Sequence, residues 1–136
     1  MDWNGGCLCG DIRFRITEDP ERATHCHCSL CRKQTSAAFT TGVSFATEAF
    51  EWTRGKPVYF RDSVGVNRSF CARCGSSMTW EPSRDDLIVF AGSLDRAEDI
   101  HPTGHAYTST MLPWVKLDDG LPQYPEGDPD LSWNRE

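Results

Sequence analysis

Gly6-Cys7-Leu8-Cys9-Gly10-Asp11-Ile12-Arg13-Phe14-Arg15-Ile16-Thr17 is the stretch that decides the fold. Two cysteines one residue apart lead straight into a strict alternation. Ile12, Phe14 and Ile16 share one face, and Arg13 and Arg15 share the other, which is the pattern of a half-buried strand. Glu18-Asp19-Pro20 ends it. A chelating pair at a strand end raises the question of where its partners lie.

The chain has seven cysteines, and the other five form two more groups: Cys26-x-Cys28-x-x-Cys31 and Cys71-x-x-Cys74. An odd number cannot all pair as disulfides within one chain. Disulfides between neighbouring cysteines are the alternative to metal binding. Close pairs and a close triple suit chelation, because one short loop aims neighbouring thiolates at a single point. Cys71-x-x-Cys74 followed by Gly75 has the form of a zinc knuckle, with glycine permitting positive φ. A closed structural zinc takes four thiolates, and two pairs supply them: Cys7, Cys9, Cys71 and Cys74. Cys26, Cys28 and Cys31 remain, and three protein ligands with a fourth position left open mark a catalytic zinc. The other partition joins Cys7 and Cys9 to part of the triple and leaves Cys71 and Cys74 two ligands short. Four plus three is the economical division, and it predicts two zinc ions per chain.

The run Thr24-His25-Cys26-His27-Cys28 also alternates. If extended, it points Cys26 and Cys28 one way and His25 and His27 the other. The two histidines are then poor ligands for the same metal and read as surface or hydrogen-bonded strand residues. Ser29 is placed to cap a short helix from Leu30 to about Ala37, with Cys31 in its first turn. Its positive end would favour thiolates and a bound anion. Short strands are expected at 39–45, 48–52, 57–61, 65–70, 76–80 and 87–91, punctuated by Gly42, Gly55, Gly65, Gly75 and Gly92. The expectation is one mainly β domain of short antiparallel strands with one short helix, in which zinc staples the first strand to a hairpin some sixty residues later. Structural zinc contributes about 10–16 kcal/mol of apparent binding free energy in small zinc peptides.

A chain of 136 residues suits one domain. Its mean hydropathy of -0.52 limits the core, and eleven Gly and eight Pro argue against long helices. No run approaches the ~20 apolar residues of a membrane span. Met1-Asp2-Trp3-Asn4-Gly5-Gly6 lacks the basic-then-apolar pattern of a signal peptide, so a cytoplasmic setting is expected. The net charge is -6, and residues 117–136 alone carry six acids against Arg135. The reading is a zinc-binding domain over 1–116 and an acidic, Pro-containing C-terminal tail over 117–136, extended and solvated, with Trp133 as its one possible anchor. The acidity argues against nucleic-acid partners.

Gly6-Cys7-x-Cys9-Gly10, Cys26-His27-Cys28-Ser29-x-Cys31-Arg32-Lys33, Phe70-Cys71-x-x-Cys74-Gly75, Pro102-x-x-His105 and Pro113-Trp114 together resemble the glutathione-dependent formaldehyde-activating enzyme / centromere protein V family, over about residues 5–116. The resemblance implies a β-tent fold. It also implies a structural zinc at Cys7, Cys9, Cys71 and Cys74 and a catalytic zinc at Cys26, Cys28 and Cys31. The implied activity is that of a carbon–sulfur lyase joining glutathione to formaldehyde to give S-hydroxymethylglutathione. Two places depart from the pattern: Gln34-Thr35-Ser36, where relatives often have Gly, and Gly42, where they often have a bulky residue.

In this reading a thiol takes the open position and loses its proton there. Arg32 and Lys33 are candidates to hold the carboxylates of a glutathione-like ligand, the alternative being ordinary exposed helix bases. His105 is the candidate catalytic residue, as proton donor or substrate contact, the alternative being a structural loop histidine. Phe39, Trp80, Tyr107 and Trp114 are pocket-wall or core residues. The partners expected are a small thiol such as glutathione and a small carbonyl. The rival function is a non-enzymatic interaction module with both zinc sites structural. A thioredoxin-like redox enzyme is disfavoured by Cys26 beside Cys28-x-x-Cys31 and by the missing βαβ pattern. A sulfoxide reductase is disfavoured because no cysteine follows Cys74.

Overall fold

A computed structural model describes residues 2–82 and 86–127. Its strands are β1 (Trp3–Gly6), β2 (Arg13–Ile16), β3 (Arg22–Cys26), β4 (Thr40–Ala46), β5 (Phe50–Arg54), β6 (Val58–Arg61), β7 (Asn67–Phe70), β8 (Ser77–Glu81), β9 (Asp86–Phe90) and β10 (His105–Ala106), with one α-helix, α1 (Ser29–Thr35). Two sheets result: a three-stranded sheet in the order β1-β2-β5 and a seven-stranded sheet in the order β10-β3-β4-β9-β8-β7-β6. Every pairing between these strands is antiparallel except β10 on β3. The protein is mainly β, as its alternating short runs require.

The alternation of the opening stretch is realised in β2. Ile12, Phe14 and Ile16 are buried against Val43, Phe45, Met78, Leu87 and Val89 of the large sheet. Arg13 and Arg15 turn outward to Asp95 and Glu51. A register shift between Ser69 and Phe70 skips Met78, which leaves that residue to fill the core between the sheets. The far face of the large sheet buries Val66, Trp80, Ile88 and Phe90. β1 was not expected from the sequence. Its Gly5 packs so closely that an added Cβ would sit 2.3 Å from the Ser93 carbonyl oxygen and 2.5 Å from Cζ of Phe14.

Three expectations are corrected. Cys28, not Ser29, occupies the N-cap position of α1, and it makes no side-chain cap bond. The helix stops at Thr35, where Ser36 turns left-handed at φ 58 and donates its N–H to the Arg32 carbonyl. Thirdly, the acidic segment does not run free from residue 117. Residues 119–126 lie beside β10: Tyr124 N–H donates to His105 O at 2.8 Å, His105 N–H to Pro122 O at 2.9 Å and Tyr107 N–H to Glu126 O at 2.7 Å. The edge of β10 offers unpaired backbone groups, and extended backbone satisfies them whatever its side-chain charge. Trp133 lies outside the described residues. No helix among the described residues is long and apolar enough to cross a membrane.

Candidate metal centres and the site between α1 and β7

Two turns with one hydrogen-bond pattern build the first cage. Cys7 N–H donates to Ile12 O at 3.1 Å, and Cys71 N–H donates to Ser76 O at 3.0 Å, each five residues on. Gly75, at φ +79, closes the second turn through its N–H to Cys71 O. Leu8 N–H crosses to Ser76 Oγ at 2.9 Å and ties the two turns together. The sulfur atoms of Cys7, Cys9, Cys71 and Cys74 all fall within 4.8 Å of one another. Cys7 and Cys9 sulfurs are 3.6 Å apart, and those of Cys9 and Cys71 are 3.8 Å apart. Four sulfurs set tetrahedrally about 2.3 Å from a zinc ion would be about 3.8 Å from each other, whereas a disulfide needs about 2.05 Å. All seven cysteines are free thiols. The four-sulfur set therefore fits zinc in chemistry and in spacing, and it links β1 of one sheet to the β7–β8 hairpin of the other.

Cys74 and Cys9 hold their protons unevenly. The Ser76 hydroxyl and the backbone N–H groups of Ser76 and Cys9 draw Cys74 down to about 5. Cys9 is pulled down by the Asp11 N–H, but desolvation and the thiols of Cys7, Cys74 and Cys71 outweigh that and push it up to about 11. A divalent cation would replace the shared protons.

The second cage is deeper. Cys26 ends β3, Cys28 precedes α1 and Cys31 lies in its first turn, so strand, turn and helix each aim one sulfur. Their ligand atoms also fall within 4.8 Å of one another, and all three residues are buried, with Leu30 and Tyr107 packed against them. The neighbouring thiols Cys28 and Cys31, with burial, push the Cys26 thiol well above its ordinary value. Three sulfurs on converging backbone suit a soft divalent ion with one position not supplied by cysteine.

Arg68 approaches this cage from β7. Its Nη1 lies 3.6 Å from Cys31 Sγ and donates to Gln34 Oε1 at 2.7 Å. Its Nε donates to Asp62 Oδ2 at 2.8 Å, and its guanidinium lies 5.5 Å from the centre of the Trp80 ring. Asp62 is rigid, because its Oδ1 also accepts the N–H groups of Val64 and Val66 at 2.9 Å each. Burial pushes the Asp62 carboxyl up, but the Val66 N–H, the Arg68 guanidinium and the Val64 N–H together hold it below the ordinary range. Sequence reasoning missed both residues. The signal was there: Arg68 shares the strand phase of buried Val66, so a charge falls on an inward face.

The other expected site residues divide. Lys33 is exposed and lines a cavity of about 420 Å³ together with Leu30, Gln34, Phe60, Arg68 and Phe70. Arg32 donates from Nη2 to the Thr110 carbonyl at 3.3 Å, bracing the 107–110 loop. Gln34 lines the cavity, whereas Gly42 lets β4 lie against Ile88, 2.6 Å from where its Cβ would be. Of the candidate wall residues, Trp80 is core, Trp114 is exposed and Tyr107 packs on the three-cysteine cage.

His105 is buried, and its register opposite His25 puts Ala106, not His105, beside Cys26. Its side chain therefore lies on the face of β3 away from the Cys26 sulfur. There it joins a chain of contacts, 2.7 Å from Nε2 to Asp119 Oδ2 and 2.9 Å from Nδ1 to His27 Nε2. The bond to His105 draws the Asp119 carboxyl below its ordinary range. Burial, with His105, His25 and Arg32 nearby, holds His27 down to about 4, so its ring is neutral.

A two-sheet β protein with one four-sulfur cage between its sheets and one buried three-sulfur cage beside a cavity is the class this fold and site define. A family model described as glutathione-dependent formaldehyde-activating enzyme matches residues 2–110. The chain belongs to that family. It is similar to a Halomonas elongata protein named "Putative glutathione-dependent formaldehyde-activating enzyme", at 29% identity over 84% of this chain and 80% of that one. Its fold is similar to the crystal structure of a Rhodobacter sphaeroides protein, with a TM-score of 0.55 and 18% identity, covering 88% of this chain and 98% of that one.

Proposed function

We propose that the protein is a zinc-dependent carbon–sulfur lyase acting on thiol adducts, with glutathione and formaldehyde as the first substrates to test. The observation that carries the reading is the three-cysteine cage beside a cavity, in a chain of this family. Zinc bound by Cys26, Cys28 and Cys31 would supply Lewis acidity and lower the pKa of a thiol. The reaction joins a thiolate sulfur to a carbonyl carbon. The C=O π pair moves to oxygen, which then takes a proton, and the reverse breaks the same C–S bond.

The chain's own residues do the rest. Arg68 holds the Cys31 sulfur through a charged N–H donor. Lys33 presents a cation at the cavity mouth, and Arg32 fixes the loop carrying Tyr107 over the cage. His105, held by Asp119, is a positioning residue that acts through His27, the residue between Cys26 and Cys28 in the chain. Seven free thiols support a reducing, cytoplasmic setting.

The test replaces zinc by cobalt and titrates glutathione. A shift in the cobalt absorption bands supports an open position at the three-cysteine cage. An unmoved spectrum overturns the lyase reading and favours an interaction module with both metals structural.

A further inference from the structure

On the face of β3 away from the Cys26 sulfur, metal-ligating side chains from three separate segments meet. One ligand atom from each of His25 on β3, His105 on β10 and Asp119 of the segment beside β10 lies within 4.8 Å of the others. Each of these residues is anchored through its other polar atom. His25 Nδ1 meets Thr41 Oγ1 at 2.8 Å, His105 Nδ1 meets His27 Nε2 at 2.9 Å, and Asp119 Oδ1 accepts the Leu121 N–H at 3.1 Å. Metal ligands are held in this way, with an outer partner on the far ring nitrogen or carboxylate oxygen fixing the direction of the near one. Nε2 of each histidine and Oδ2 of Asp119 are left to coordinate. His105 Nε2 and Asp119 Oδ2 are 2.7 Å apart, bridged by a proton. An ion about 2.0–2.1 Å from both would hold them about 2.9–3.3 Å apart. A cation can therefore take the proton's place if the exposed Asp119 side chain shifts by about half an ångström. The half-buried His25 closes by no more than about 2 Å to join them.

We propose that His25, His105 and Asp119 form a third metal site, separate from both cysteine cages, for one divalent first-row ion of zinc's kind. Two imidazoles and a carboxylate without sulfur suit zinc and its neighbours, whereas magnesium and calcium take oxygen ligands. Asp119 is 41% exposed, so water completes the coordination. The ion acts as a clasp. Its ligands come from β3, from β10 and from the acidic segment, so binding fixes residues 119–126 against the edge of the large sheet. Asp118, Asp119 and Glu126 of that segment repel one another, and a divalent cation offsets their charge. Asp119 lies beyond residues 2–110, the part of the chain that the family model matches. The clasp therefore belongs to this chain's acidic segment rather than to the cysteine pattern, and it needs no lyase chemistry.

Cobalt titration of the zinc-loaded protein tests the site. Zinc holds a given set of ligands more tightly than cobalt in general, so cobalt added after the cages are filled goes to the nitrogen and oxygen atoms. About one further equivalent is expected, with d–d bands and no thiolate-to-cobalt charge-transfer band, and amide exchange at Tyr107 and Tyr124 slows. Loss of an outer partner costs about ten- to a hundredfold in metal affinity, so Thr41→Val is expected to weaken cobalt binding by that factor. Asp119→Asn and His25→Gln each remove a ligand and are expected to weaken it by about a hundredfold or more, with zinc content unchanged. Neither position is fully buried, so both variants keep the fold within reach of the test. The difference spectrum between wild type and Asp119→Asn isolates the site even where a cage has taken some cobalt. A blank difference spectrum, one that carries the charge-transfer band, or binding that neither ligand substitution weakens overturns the proposal.

Discussion

Replacing Asp62 by asparagine removes one charge from a pair buried at both ends. The side chains of Arg68 and Asp62 are 4% and 6% exposed. Asparagine keeps an oxygen for the Val64 and Val66 amides but leaves the guanidinium without its counter-charge, at the wall of the three-cysteine cage. Breaking a buried pair by removing one partner costs about 3–5 kcal/mol. With a urea m-value of about 2 kcal/mol/M, the unfolding midpoint falls by about 1.5–2.5 M. Asp95→Asn is the control, because its pair with Arg13 is 35% and 50% exposed and is worth about 0–1 kcal/mol. The pH dependence has a definite sign. The folded-state pKa of Asp62 is depressed, so its contribution is fully present above the unfolded value of about 3.9 and is lost as pH falls through the folded value. Urea titrations at pH 7 and at pH 3, with metal content measured alongside, read both effects. If Asp62→Asn and Asp95→Asn shift the pH 7 midpoint equally, or if the gap between wild type and Asp62→Asn does not narrow in acid, the buried-pair account is wrong.

The two cages respond differently to single substitutions. Cys74→Ser opens the link between the sheets and lowers the thermal midpoint sharply, whereas Cys31→Ser removes one zinc equivalent and thiol turnover with a smaller loss of stability. Metal analysis and calorimetry on the purified variants check this, and equal destabilisation by both counts against separate roles. Chelator treatment of the wild type lowers the thermal midpoint, and added zinc restores it. Gly5→Ala drives a methyl into Ser93 and Phe14 and costs about 1–3 kcal/mol in urea unfolding. Asp119→Asn loosens the segment 119–126 beside β10, and amide exchange at Tyr107 and Tyr124 quickens while exchange at Val89 is unchanged.

Local pattern made the cages and most strands legible. Thiolates two or three residues apart share a turn, and alternation sets the face of a strand, so Cys26 and Cys28 could be separated from His25 and His27 before any fold was known. β1 was invisible because Trp3-Asn4-Gly5-Gly6 has no alternation of its own and exists by pairing with β2. The acidic segment misled because charge argues for solvation, while the unpaired edge of β10 rewards any extended backbone laid along it.

By itself, then, the sequence determined that seven cysteines form one set of four and one of three in a chain of short strands, since that information sits within a few residues of each ligand. Only the tertiary structure decided that Arg68 stands 37 residues beyond Cys31 in the chain yet 3.6 Å from its sulfur. The same is true of Asp119, whose oxygen rests on His105. Contacts of that span are made when sheets pack and edges close, and no local periodicity encodes them.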